Sequence, residues 1–170
     1  MTPIGGGDFT GVAPRILTRG TTYNGLTYLE KNGAGNDDSF GGNIFNQDAS
    51  VINSGTGRVR FGTNDLDIFN GNTVVSNTGT DRIWMADNSP GNQFNGNITV
   101  ENTGGVGVYF GRGGNGDATQ AAGFNVSIGG LGFNDGELHF RDFTQLGFVP
   151  TSLVLTGTAR LYNYDSNWGG

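Results

Sequence analysis

An internal repeat constrains this chain more than any other feature. Three stretches align without a gap: Ile44-Phe45-Asn46-Gln47-Asp48-Ala49-Ser50-Val51-Ile52-Asn53-Ser54-Gly55, Ile68-Phe69-Asn70-Gly71-Asn72-Thr73-Val74-Val75-Ser76-Asn77-Thr78-Gly79 and Gln93-Phe94-Asn95-Gly96-Asn97-Ile98-Thr99-Val100-Glu101-Asn102-Thr103-Gly104. The offsets are 24 and 25 residues. A looser copy runs from Tyr23 to Gly33, and degenerate copies follow at Phe124–Gly129 and Ser152–Gly157. The glycine column is Gly33, Gly55, Gly79, Gly104, Gly129 and Gly157, with steps of 22, 24, 25, 25 and 28.

After each glycine comes a second apolar segment: Val59-Arg60-Phe61, Ile83-Trp84-Met85, Val108-Tyr109-Phe110, Leu138-His139-Phe140 and Leu161-Tyr162-Asn163. Apolar, any, apolar is the two-residue period of a strand. Each unit therefore reads as strand, glycine turn, strand and a loop such as 86–91. No window has helical periodicity, and the abundance of Gly and Asn opposes helices. A recurring unit of this length with short strands fits one coil of a parallel β-solenoid. One coil cannot bury its apolar face alone, but stacked coils share a core. The expectation is an all-β parallel β-solenoid of about six coils, 22–28 residues each, over 21–170. Residues 1–20 match the repeat poorly and read as an N-terminal cap or linker. A β-sandwich also has short strands, but has no need of repeated sequence.

Stacked coils place like over like at about 4.8 Å. Phe45, Phe69 and Phe94 are thus expected to form an inner aromatic pile, and Asn53, Asn77 and Asn102 an amide ladder. Gly55, Gly79 and Gly104 form a glycine ladder, and at the Gly55 and Gly79 corners positive φ is the expected reason for Gly.

Gly, Asn, Thr and Ser make up 79 of the 170 residues. Aromatics at 11% and charged residues at only 14% oppose disorder. The net charge of −6, with no basic cluster in sequence, opposes nucleic acid as a partner. No run is long enough for a membrane-spanning helix, so no membrane insertion is expected. The absence of Cys excludes disulfides and thiolate sites. The start lacks the pattern of a signal peptide, and Asn167-Trp168-Gly169-Gly170 reads as a cut in something longer.

The run Phe94-Asn95-Gly96-Asn97-Ile98-Thr99-Val100-Glu101-Asn102-Thr103-Gly104 resembles the FNGNITVNNTG units of very large repetitive surface proteins of Bacteroidetes. Phe143-Thr144-Gln145-Leu146-Gly147, leading into Leu153–Ala159, is similar to their FTQLG…LTLTGTA element. The resemblance covers about residues 20–165. It implies an adhesin-like or surface-filament segment, exported by the type IX system to the bacterial cell surface. Self-association or binding of surface glycans would then be its interactions.

Little in the chain suggests catalysis. His139 is the only histidine and sits mid-strand with no nucleophile elbow. Asp65 and Asp67 share a face if extended, which would suit a carbohydrate-active β-helix enzyme or lectin-like module, the alternative reading. Turn chemistry accounts for such acids without catalysis, and no catalytic residue is assigned. Calcium is the one cofactor considered, through Asn36-Asp37-Asp38, Asp87-Asn88 and Asn115-Gly116-Asp117. The glycines at 5–7 and 111–114 lack the Lys and helix of a phosphate loop. Ice binding would need a flat Thr array, which the turn motifs Thr78-Gly79-Thr80 and Thr156-Gly157-Thr158 do not supply. The more informative set is Arg60, Trp84, Tyr109, His139 and Tyr162. They hold the middle, outward position of the second strand in successive units, and Arg60, Trp84, Tyr109 and Tyr162 form a candidate contact surface.

Overall fold

The fold is described from a computed structural model. It describes residues 2–4 (backbone only), 6–112, 115–147, 149 and 151–169. Among the described residues every regular element is a β-strand. The chain opens with β1 (Thr2–Ile4) and β2 (Phe9–Ala13). The coils that follow each contribute three strands: β3 (Thr21–Tyr23), β4 (Thr27–Lys31) and β5 (Asp37–Asp38); then β6 (Ile44–Phe45), β7 (Ala49–Asn53) and β8 (Val59–Arg60). The next two are β9 (Ile68–Phe69), β10 (Thr73–Asn77) and β11 (Arg82–Met85), and β12 (Asn92–Phe94), β13 (Ile98–Asn102) and β14 (Gly107–Phe110). The last to do so has β15 (Ala118–Gln120), β16 (Val126–Phe133) and β17 (Glu137–Arg141); the coil after it carries only β18 (Phe143–Gln145) and β19 (Arg160–Tyr164), and β20 (Asn167–Trp168) begins another by pairing with β18.

The strands form three parallel sheets wound as a β-solenoid of about six coils. The first sheet runs β1-β3-β6-β9-β12-β15-β18-β20, the second β2-β4-β7-β10-β13-β16, and the third β5-β8-β11-β14-β17-β19. Sequence alone predicts two strands per unit. The structure adds a third, because the chain turns sharply after Phe45, Phe69 and Phe94, and splits the expected first strand in two. Residues 2–20, expected as cap or linker, carry β1 and β2. These pair in parallel with β3 and β4 and stack as the end coil.

The core follows from the alternation. Val51, Val75 and Val100 point in from the second sheet and Val59, Ile83, Val108 and Leu138 from the third, all buried. From the first sheet, Tyr23, Phe45, Phe69 and Phe94 form one pile, with ring centroids 4.8, 4.5 and 5.0 Å apart and planes within 6° of parallel. At the corner between the second and third sheets, Asn53 Nδ2 donates to Asn77 Oδ1 (3.2 Å) and Asn77 Nδ2 to Asn102 Oδ1 (2.7 Å), all three fully buried. Lys31 pairs in register with Asn53 and is fully buried too, its Nζ donating to the Gly33 carbonyl. Burial in this corner pushes the Lys31 amine below its ordinary value. A second amide ladder, Asn24–Asn46–Asn70–Asn95, runs along the opposite corner in solvent at 2.8–3.0 Å.

The expected role of the corner glycines needs correction. Gly55, Gly79 and Gly104 are not among the glycines with positive φ. Gly is needed there because the coils nearly touch: a Cβ at Gly55 would lie 2.2 Å from the Gly33 carbonyl oxygen, and one at Gly79 2.1 Å from that of Gly55. The contact loosens at Gly104, where the nearest oxygen is 3.0 Å away. Gly129 leaves the column altogether. After Ile128 pairs with Val100 the register slips, and Phe133, not a residue near Gly129, stands beside Asn102. The bulge ends the ladder, and Asn102 Nδ2 turns to the Asp135 carbonyl instead.

Candidate functional site

The third sheet carries the most chemically varied surface. Parallel register sets Asp38, Arg60, Trp84, Tyr109, His139 and Tyr162 in one outward column, one residue per coil. The aromatic members stack on one another. Trp84 and Tyr109 are 5.6 Å apart and tilted, while Tyr109–His139 and His139–Tyr162 are 4.4 Å apart and nearly parallel. Ring faces are therefore spent along the solenoid axis, and the outside meets ring edges. Tyr109 is only 8% exposed, so the contact surface expected from Arg60, Trp84, Tyr109 and Tyr162 is less open than alternation suggests. Glu137 ties the column together: Tyr109 Oη donates to it at 2.9 Å, and His139 Nε2 lies 3.0 Å away. Burial lowers the His139 pKa against the pull of Glu137, so the neutral ring is favoured.

Around Trp84 the surface becomes cationic. The guanidinium carbons of Arg58, Arg60, Arg82 and Arg112 stand 5.9, 4.8, 5.1 and 5.4 Å from its ring centroid. Half of the eight arginines thus converge on one indole. Three carboxylates hold them. Asp38 pairs with Arg58 and Arg60 (both 3.3 Å), and Asp81 with Arg82 (3.0 Å). Asp87, fully buried beneath, faces Arg60 at 3.4 Å and Arg112 at 3.5 Å. Burial raises the Asp87 pKa, and the two arginines oppose the shift. Arg60 shares the column of Trp84, whereas Arg58 precedes β8, Arg82 opens β11, and Asp87 and Arg112 lie beyond the ends of β11 and β14, places that the apolar repeat does not mark.

The carboxylates expected as a pair do not meet. Asp65 is exposed, whereas Asp67 is buried in the corner between the third and first sheets. Residues 65–67 are not one extended strand, so the two-residue rule fails. Asp67 Oδ1 accepts from Asn43 N and Nδ2 (both 2.8 Å), and Oδ2 from Gly62 N (2.7 Å). Its own amide donates to Asn92 Oδ1 (2.8 Å). The loop acids weighed for calcium are likewise engaged internally. Asp37 accepts from Arg15 and the Ile16 amide, Asp38 and Asp87 pair with arginines, and Asp117 accepts from the Gly91 amide. Among the described residues no three acidic or histidine side chains gather around one point. Gly5, Gly113 and Gly114, weighed as parts of Gly-rich loops, lie outside the described residues.

Asp67 gives the fold a pH dependence. Burial drives its pKa up from 3.8 to about 6, against the Asn43 and Gly62 hydrogen bonds. Between those values the folded chain keeps a proton that the unfolded chain has lost. Stability from this group is therefore full at low pH and falls as pH rises from 3.8 toward 6. At about 1.4 kcal/mol per pKa unit the fall is about 3 kcal/mol. Urea midpoints from pH 4 to 7 should show it, and Asp67→Asn should be less stable but lack that slope. An equal slope in the variant would refute the assignment.

Compared with known protein families, with curated proteins and with solved structures, the chain matches none of them.

Proposed function

We propose that this chain is a stiff, structural or adhesive segment of a bacterial extracellular surface protein, acting as a β-solenoid spacer with a contact face on its third sheet. The observation that supports this reading is the continuity of the axial columns. Tyr23, Phe45, Phe69 and Phe94 pile without a gap, and two amide ladders run beside them, Asn53–Asn77–Asn102 and Asn24–Asn46–Asn70–Asn95, with a third column in which Asn72 donates to the Asp48 carboxylate, Asn97 to Asn72, and the Asn125 backbone amide to Asn97. Bending the rod would have to break several columns at once. Each coil touches only its neighbours, so load along the axis passes from coil to coil through in-register backbone pairs. The Bacteroidetes-like motifs supply the extracellular setting.

Force spectroscopy tests the mechanical part. With the chain held at both ends between marker domains, extension should release one or more whole coils at a time. Smooth lengthening at low force would overturn the spacer reading. Antibody labelling of intact producing cells tests the location, and labelling only after permeabilisation would refute it.

A further inference from the structure

We propose that Arg58, Arg82 and Arg112, gathered around Trp84, form an anion-binding site whose ligand is an acidic polysaccharide, gripped through its carboxylate or sulfate groups. The inference rests on the contact-face part of the proposed function and gives that face a ligand class.

Charge and geometry carry it together. Four guanidiniums face three carboxylates, so the cluster is locally cationic on a chain of net charge −6. The internal partners leave donors over. A guanidinium has five N–H groups. Arg82 uses its Nε on Asp81, and Arg112 makes one ion pair among the described residues, to Asp87 at 3.5 Å. The side chains of Arg58, Arg82 and Arg112 are 28, 34 and 50% exposed, so those donors reach solvent. Asp87 from below and Asp38 and Asp81 from the sides already hold the forks, which lowers the ordering cost of binding. Forked N–H pairs match the planar oxygens of a carboxylate and the oxygen pairs of a sulfate.

The same surface argues for a narrow saccharide. Arg58 and Arg82 occupy equivalent places in successive coils, one position before Val59 and Ile83, which pair in register. Their separation of about one strand spacing is comparable to a single pyranose ring. Among the described residues, the large exposed apolar side chains on this sheet are Leu161 and Tyr164, on β19 at its far end from β5. A folded protein partner would want an apolar centre to its interface. Nucleic acid would meet the chain's overall negative charge along its whole length. Neutral sugars would need open ring faces, which the column has used.

Calorimetric titration with oligogalacturonate, a heparin-derived oligosaccharide and a neutral cello-oligosaccharide of equal length tests the site. Both acidic ligands should bind, more weakly as salt rises, and the neutral one should not. Arg82→Gln with Arg112→Gln should weaken binding at least about tenfold. Arg15→Gln with Arg19→Gln, an equal charge change elsewhere, should stay within about twofold. If circular dichroism shows the first double variant unfolded, the half-exposed Arg112→Gln alone carries the test. Equal losses in both double variants, or equally tight single-stranded DNA, would overturn the site as general polyanion attraction. Neutral saccharide binding untouched by the arginine changes would overturn the anion inference and leave the contact face standing. No binding by any saccharide would overturn the inference and leave only the spacer.

Discussion

Replacing Phe69 with Ala should cost about 3–5 kcal/mol. The ring lies in the middle of the pile, 4.5 Å from Phe45 and 5.0 Å from Phe94, and tilts against Phe61 at 6.4 Å. It is 1% exposed. Truncation removes its burial and opens a cavity between two flat rings that cannot close it, because backbone pairing fixes the coil spacing. For a chain of this size the thermal midpoint should drop by roughly 10 °C. Phe69→Leu keeps most of the volume and should lose less than half as much. A midpoint for Phe69→Ala within about 2 °C of the parent would mean that the pile contributes little.

The second large effect concerns the buried amide ladder. Asn77 Nδ2 is shared among Asn102 Oδ1 (2.7 Å), the Asp81 carbonyl (2.8 Å) and the Gly104 carbonyl (3.1 Å), while its Oδ1 accepts from Asn53 (3.2 Å). Asn77→Ala leaves those groups facing each other in a dry corner. Each buried group left without a partner costs about 1–3 kcal/mol, so a total of about 3–5 kcal/mol is expected after partial relaxation. Asn70 offers a built-in comparison. It makes the same kind of amide bonds, to Asn46 (3.0 Å) and from Asn95 (2.9 Å), but in solvent. Water replaces its partners, and Asn70→Ala should cost about 1 kcal/mol or less. Chemical denaturation of the two variants in parallel checks the contrast. Equal losses would show that burial is not what makes the inner ladder matter.

The contact face was legible in the sequence only as far as alternation reaches. Arg60, Trp84, Tyr109, His139 and Tyr162 share one strand position, so their column could be read from spacing. That the rings would cover each other's faces was not legible, because ring orientation depends on contacts between coils. Arg58, Arg82 and Arg112 reach Trp84 from strand ends and corners, and Asp87 holds Arg60 and Arg112 from beneath; the repeat does not encode those directions. Lys31 left a signal: it stands two residues before Gly33, as Asn53 does before Gly55, and so belongs in the buried ladder column.

By itself the sequence determined which residue lies over which from Tyr23 to Asn102, and lost the register only at the bulge after Ile128. An in-register parallel stack repeats its environment every coil, so a recurring pattern of Phe, Asn and Gly records the register directly. The tertiary structure decided where each coil bends and what those bends enclose. The third strand, the burial of Asp67 apart from Asp65, and the use of Gly55 for clearance rather than for φ all arise at corners. A corner's shape is set by the distance to the coil beneath it and by exclusion of water, and neither is written in the spacing of residues along one chain.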